Sequence, residues 1–342
     1  MKLFQKMKRN PIQAILVLMV PVIVFFALIA PWLFTTFSSP IIFNENTGHI
    51  GNTFGIMSPF IAIAAVIVTY LAFRMQLDAN EKMFDNSRRM QFERQFYEML
   101  KIHCDKVENL HAESLYTDFS AENQFQKTAS GQDFFRSLLE EFYLIYSELL
   151  RFKETDETFS KAYHIFFSGI DSADKELKKE TSAHFRNFFT PENNKYLFMK
   201  KYPKLAPIAD TLFEGRMDQL VPYYRHLFLL VKTVAQADSK LFTYDEKRQF
   251  LRILRAQLSS AEQTLLYYNW KSGCGEQWEE NASKPSSNHF LTDYRMIHNI
   301  IPKDCWAFSS DEILQSLLEK NPGYRKLNDE DTLFELIDEK GI

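Results

Sequence analysis

The polar residues that most suggest chemistry lie in the second half of the chain. Arg255, Ser259, Glu262 and Asn269 follow one another at steps of 4, 3 and 7, which sets them along one helix face beside an apolar stripe. Arg255 and Glu262 are then two turns apart, about 10.5 Å along the axis, so each is better placed to reach another helix than to pair with the other. Such a set could form the site of a nuclease or another enzyme, but a solvated face is the more ordinary reading. Cys274, His289, His298 and Cys305 could be imagined around zinc, but 14, 8 and 6 residues separate them, unlike the close ligand pairs of structural zinc sites. No G-x-x-x-x-G-K, G-x-G-x-x-G, G-x-S-x-G or H-E-x-x-H occurs, so no phosphate loop, nucleophile elbow or zincin helix is expected. Helical toxins that cut RNA often place a His four to six residues after an Arg. Here Arg94–His103 and Arg216–His226 are too far apart and Arg295–His298 too close. No cofactor is expected.

The elements that must carry these residues fall into two unlike regions. The chain has 342 residues, 46% of them hydrophobic and 25% charged, which excludes wholesale disorder. Its mean hydropathy of −0.27 averages over an apolar start and a polar remainder. Lys2, Lys6, Lys8 and Arg9 stand in the first ten residues with no acid. The other 36 basic residues face 44 acidic ones, a net charge of about −8, which argues against nucleic-acid binding through bulk charge. Three cysteines cannot form a disulfide framework and favour a reducing compartment. The 32 phenylalanines are shared by both regions.

No ionisable side chain occurs from Asn10 to Asn44, and the 23 residues Ile12 to Phe34 could cover about 34 Å as a helix, enough for a bilayer core. This run exceeds the apolar stretch of a signal peptide and lacks an A-x-A-like site. A second uncharged run, Phe54 to Phe73, has 20 residues. On it Ser58, Ala62, Ala65 and Thr69 form a small face suited to packing on the first run. Basic residues precede the first run and follow the second at Arg74, Lys82, Arg88 and Arg89. The loop 35–53 has none, so both termini are expected in the cytoplasm.

Beyond Phe73 the chain reads as helix after helix. Residues 74–113 continue the second span as a polar stalk and then an amphipathic helix, with Phe92, Phe96, Met99, His103, Val107 and Leu110 on one face. A histidine on such a stripe is more often a satisfied core residue than a ligand. Ala121–Ser130 reads as a polar stretch, Gln132–Arg151 and Met217–Val234 as helices, and Asp171 or Ser172 as the cap of a helix towards Phe189. Thr243 and Glu246 form a T-x-x-E capping box. The helix it opens carries Phe250, Leu254, Leu258, Ala261, Leu265 and Tyr268 at steps of 4, 4, 3, 4 and 3. Ser272–Asn288 reads as a polar loop, and Asp311–Lys320 and Asp329–Glu339 as two short helices. No run alternates with period two, so the expected fold is all-α: two N-terminal transmembrane helices followed by a cytoplasmic α-helical domain. The expected divisions are an anchor at 1–73 (spans 12–34 and 54–73), a stalk and amphipathic helix at 74–113, and a helical domain at 114–342.

Three stretches then bear a resemblance. They are GHIGNTFGIMSPFIAIAAVIVTYLAF with RMQLDANE at 48–81, MQFERQFYEMLKIHCDKVENL at 90–110, and YYRHLFLLVK at 223–232 through EKRQFLRILRAQLSSAEQTLLYYN at 246–269. GQDFFRSLLEEFYLIY at 131–146 is a weaker echo. Together they resemble the phage abortive infection (AbiC-like) family of bacterial membrane proteins. RAQLSSAE is the specific part, and Asn52 departs from a pattern that favours an acid. The resemblance implies an effector of anti-phage defence in the bacterial inner membrane that perturbs the membrane after a signal reaches the helical domain. Membrane lipid, further copies of the chain and a separate phage-sensing protein are its expected partners, and direct nucleic-acid binding is not expected. It raises Glu93, His103, Tyr224, Arg225, Arg255, Gln257, Ser259, Glu262 and Asn269 to candidate functional or interhelical residues, and it implies no catalytic chemistry. The alternatives are a membrane-tethered nuclease-type toxin and a non-defensive membrane scaffold for a cytoplasmic partner.

Overall fold

The computed structural model describes residues 48–118, 123–152, 157–172, 198–282, 287–301 and 304–335, together with 19, 21–26, 28, 29 and 32. The chain divides into two compact units, Met1–Gln91 and Phe92–Ile342.

In the first unit, residues 21–26 are helical, and Val22, Val24, Phe25, Phe26, Leu28 and Trp32 are exposed. Most of the expected span 12–34 lies outside the described residues. Helix α1 (Gly48–Asn109) is continuous over 62 residues. It therefore takes in the end of the expected loop 35–53: residues 48–53, Asn52 among them, are helical rather than loop. No charge and no glycine pair interrupts this start. Pro59 lies within the helix, and Thr69 Oγ1 donates to Ala65 O at 2.8 Å. Ile61, Ile63, Val66, Val68, Tyr70 and Phe73 are all exposed, although water would oppose exposure of such a surface. From Ser58 onward α1 is long and apolar enough to cross a membrane, the only helix of which this is so among the described residues.

The second unit is mostly helical but not all-α. After α1 come β1 (His111–Asp118) and β2 (Asn123–Ser130), an antiparallel pair in register from His111 opposite Ser130 to Asp118 opposite Asn123. The stretch expected as a polar connection is thus a strand. Among the hairpin residues whose burial is described, Ser114 and Ala129 are buried, and both strands meet the 3-10 turn Ala206–Thr211, since an isolated pair needs such packing. There Ser114 Oγ donates to Asp210 Oδ2 at 2.7 Å.

Helices α2 (Gln132–Phe152), α3 (Thr158–Ser168) and α4 (Met217–Ala235) build the core. Phe134, Phe135, Leu138, Phe142 and Ile145 of α2 are fully buried. Phe142 packs against Tyr268, Phe159 and Phe166 at ring distances of 4.9, 5.4 and 5.9 Å, so part of the phenylalanine excess is core. Asp171 and Ser172 belong to a 3-10 turn, and the helix expected to follow them lies outside the described residues. Gly169 and Gly215, at φ +87° and +97°, let two backbone segments cross so closely that a Cβ on either would strike the other's backbone.

The long helix expected from Thr243 is two helices, α5 (Tyr244–Arg255) and α6 (Ser260–Lys271). Thr243 opens the first with the predicted capping box, and Ser259 with Glu262 opens the second with another. Helix α7 (Ser310–Lys320) starts on a third, Ser309 with Glu312. The second short tail helix is not formed over 329–335, and 336–339 lie outside the described residues. Asp331 is instead drawn away by side-chain bonds to Arg248 and to Leu327 N.

Candidate functional site

Helices α5 and α6 and the turn between them position most of the expected site residues. After Arg255 the chain makes two tight turns, Gln257 N to Leu254 O and Leu258 N to Arg255 O, both at 2.9 Å. Ser259 then restarts the helix. Its Oγ lies 3.3 Å from Glu262 N, while Glu262 Oε2 accepts from Ser259 N at 2.8 Å and Oγ at 2.7 Å. The expected single face through Arg255, Ser259, Glu262 and Asn269 is therefore broken at the turn.

Glu262 is 1% exposed, and its Oε1 accepts a hydrogen bond from Tyr223 of α4 at 2.9 Å. Burial raises its carboxyl pKa, opposed by the hydrogen bonds from Ser259 and Tyr223. Next along α4, Tyr224 donates to Leu265 O at 3.1 Å. His103 of α1 completes this cluster, with its ring 5.3 Å from Tyr223 and stacked 5.9 Å from His226. It is 1% exposed, and neither ring nitrogen has a hydrogen-bond partner, so it is not the satisfied core histidine expected. Burial, then the charges of His226 and Lys106, lower its pKa to about 4, so the ring is neutral at physiological pH. His226 Nε2 bonds Met99 O at 3.0 Å.

Arg255 turns the other way. Its Nη1 donates to Arg295 O at 3.1 Å, and it lines a groove with Arg248, Arg252, His298, Leu327, Asn328, Glu330, Asp331 and Thr332. Asn269 is buried at the far end of α6, where its carbonyl accepts from Gly275 N at 2.9 Å and Ser272 Oγ at 3.0 Å. Gly275 approaches Asn269 so closely that a Cβ there would displace the Asn269 side-chain amide. Arg225 and Gln257 are exposed and Glu93 is half-buried, each apart from the cluster. The structure thus unites His103, Tyr224, Ser259 and Glu262 on one side of the turn, sets Arg255 on the other, and leaves the remaining four separate.

The four residues weighed as zinc ligands have separate partners. His289 Nδ1 meets Glu279 Oε1 at 3.1 Å, His298 Nδ1 meets Leu333 O at 2.9 Å, Cys305 is buried, and Cys274 Sγ lies 3.9 Å from His164 Nδ1. No group of three or more His, Cys, Asp or Glu that could hold a metal occurs among the described residues.

Sequence reasoning missed Arg248, Arg252, Arg295, Asp331 and Tyr223. The first two were legible, because with Arg255 they stand at steps of 4 and 3 on one helix. Arg295 gives no such signal. It is fully buried in an irregular segment, where Nε donates to Thr332 O at 2.9 Å, Nη1 to Thr292 O, and Nη2 to Arg325 O at 3.2 Å.

The second unit is a mostly helical body, and among the described residues one helix is long and apolar enough to span a membrane. Residues 215–305 match the model of a family described as "putative phage abortive infection protein". The matched segment includes α4, the RAQLSSAE turn and α6, whereas the resembling stretches at 48–81 and 90–110 lie outside it. No curated protein and no solved structure matches the chain.

Proposed function

We propose that this protein is an anti-phage defence effector that acts by abortive infection from the bacterial inner membrane, with both termini in the cytoplasm. The match of residues 215–305 to the abortive infection family carries the reading. The apolar, exposed surface of α1 between Ile61 and Phe73 supports a membrane location, because a bilayer is the solvent in which that surface is stable. In the proposed mechanism, a phage-dependent signal, brought by a separate protein, changes the packing of the helical body. The anchors of several copies then associate and perturb the lipid bilayer. Two spans per chain are too few to line a wide pore, so permeabilisation requires self-association.

Phage plaques counted on isogenic cells with and without the gene test the defence role, with fewer plaques expected when it is present. Equal counts over a broad phage panel would remove that role. A potential-sensitive dye tests the mechanism separately: infected cells carrying the gene should depolarise before lysis. Protection with full membrane potential would leave the defence role and discard membrane perturbation.

A further inference from the structure

Arg248, Arg252 and Arg255 share one face of α5, and that face borders a groove of about 540 Å³. The three are not equivalent. Arg248 is neutralised by Asp331 through Nη2–Oδ1 at 2.9 Å and Nη1–Oδ2 at 3.0 Å, and Arg295 shares the same carboxylate at 3.0 Å. Asp245, near the start of the helix, accepts from Gln249 Nε2 at 3.3 Å. Of the other acids nearby, Glu330 is exposed on the rim, and Glu335 accepts from Asn299 Nδ2.

Arg255 differs from all of these. It is only 9% exposed, yet its guanidinium donates one hydrogen bond, to Arg295 O, and no carboxylate lies within 4 Å of it among the described residues. Desolvation, then repulsion from Arg248 and Arg252, lower its pKa to about 10, against the attraction of the more distant Glu335 carboxylate. A buried cation without a carboxylate in contact is costly, which points to a missing anion. Arg252, one turn earlier, is exposed and has no side-chain partner among the described residues.

We infer that this end of the groove binds a phosphoryl group, with Arg255 and Arg252 as its two cations and His298 beside them. Two uncompensated guanidiniums match a dianion, whereas a carboxylate would cancel one of them. The planar fork of each arginine fits two phosphoryl oxygens. His298 Nδ1 faces Leu333 O, an acceptor, so in the neutral ring Nδ1 carries the proton and Nε2 is the atom that gains one beside an anion. The inference is independent of the defence role, because it is tested by binding alone.

The test is calorimetric titration of the full chain, solubilised in detergent, with inorganic phosphate and pyrophosphate, against sodium chloride at matched ionic strength. Saturable binding of pyrophosphate is expected, weakened about tenfold or more in Arg255→Gln and in Arg252→Gln. The second variant alters an exposed side chain, so a folding defect in the first leaves the test intact. Wild-type heats no larger than those of chloride would overturn the site, as would wild-type affinity in Arg252→Gln. Repeating the titration in nanodiscs identifies the source. Phosphatidic acid that competes with pyrophosphate, where phosphatidylcholine does not, assigns the group to a lipid headgroup, and absence of competition assigns it to a free phosphate compound.

Discussion

His103 lies in the core of the second unit with both ring nitrogens unpartnered, which favours the neutral ring over the charged one. The sign of the pH effect follows. As pH falls below about 6.5, the unfolded chain protonates this histidine, while the folded chain resists until about 4, so stability is lost across that window. The loss approaches about 3 kcal/mol at its lower end. His103→Leu, which keeps the volume and removes the proton site, should raise the melting temperature more at pH 5 than at pH 7.5. An equal shift at both values would show that the ring titrates normally.

Two arginines give a second contrast at the same scale. Arg295 uses all three of its nitrogens in hydrogen bonds, and its guanidinium stacks 4.7 Å from the Tyr324 ring, whereas Arg255 makes one bond. In phosphate-free buffer Arg295→Met should cost about 3–5 kcal/mol by leaving the Asp331 carboxylate and four backbone carbonyls under-satisfied. Arg255→Gln should change stability by less than about 1 kcal/mol. Chemical denaturation of both variants compares them, and equal losses would make Arg255 another structural arginine.

At the scale of elements, the joint between α5 and α6 shows what the amino-acid order makes legible and what it hides. The capping boxes at Thr243, Ser259 and Ser309 are all written as S/T-x-x-E, and all three form. Ser259 stands out in the sequence as a polar residue on a helix face, and its role as a cap is hidden because the apolar steps continue through Leu258 as though one helix persisted; Leu258 is buried at the joint itself. The hairpin at 111–130 was hidden for the opposite reason, since HAESLYTD and NQFQKTAS carry no apolar–polar alternation to mark a strand. Tyr223 and Glu262 are 39 residues apart, and only folding reveals that they pair. Ser259→Ala should lower stability by about 1–2 kcal/mol by releasing the cap on Glu262 N and removing the hydroxyl bond to buried Glu262, which keeps its bonds to the backbone N of residue 259 and to Tyr223. Thr243→Ala, at an exposed cap, should cost less. Urea midpoints of the two variants check the order, and the reverse order would mean that the half-buried cap is not holding the joint.

For the whole molecule the decisive quantity is the solvent of α1. Val66 is 68% exposed and Phe73 57% exposed, in a run free of charge from Phe54 to Phe73. If water surrounds that surface, an arginine at position 66 improves solvation and leaves the protein where it was. If hydrocarbon surrounds it, the same side chain near the middle of the span costs about 2.5–3.5 kcal/mol on insertion scales, a shift of roughly a hundredfold in partitioning. A polar change at Arg88, beyond the apolar run, carries no such penalty. Val66→Arg should therefore move the protein from the alkali-resistant membrane pellet to the soluble or degraded fraction, while Arg88→Gln should remain in the pellet. Val66→Arg retained in the pellet like the wild type would remove the membrane from the account of this helix, and with it any effector mechanism that acts through the bilayer.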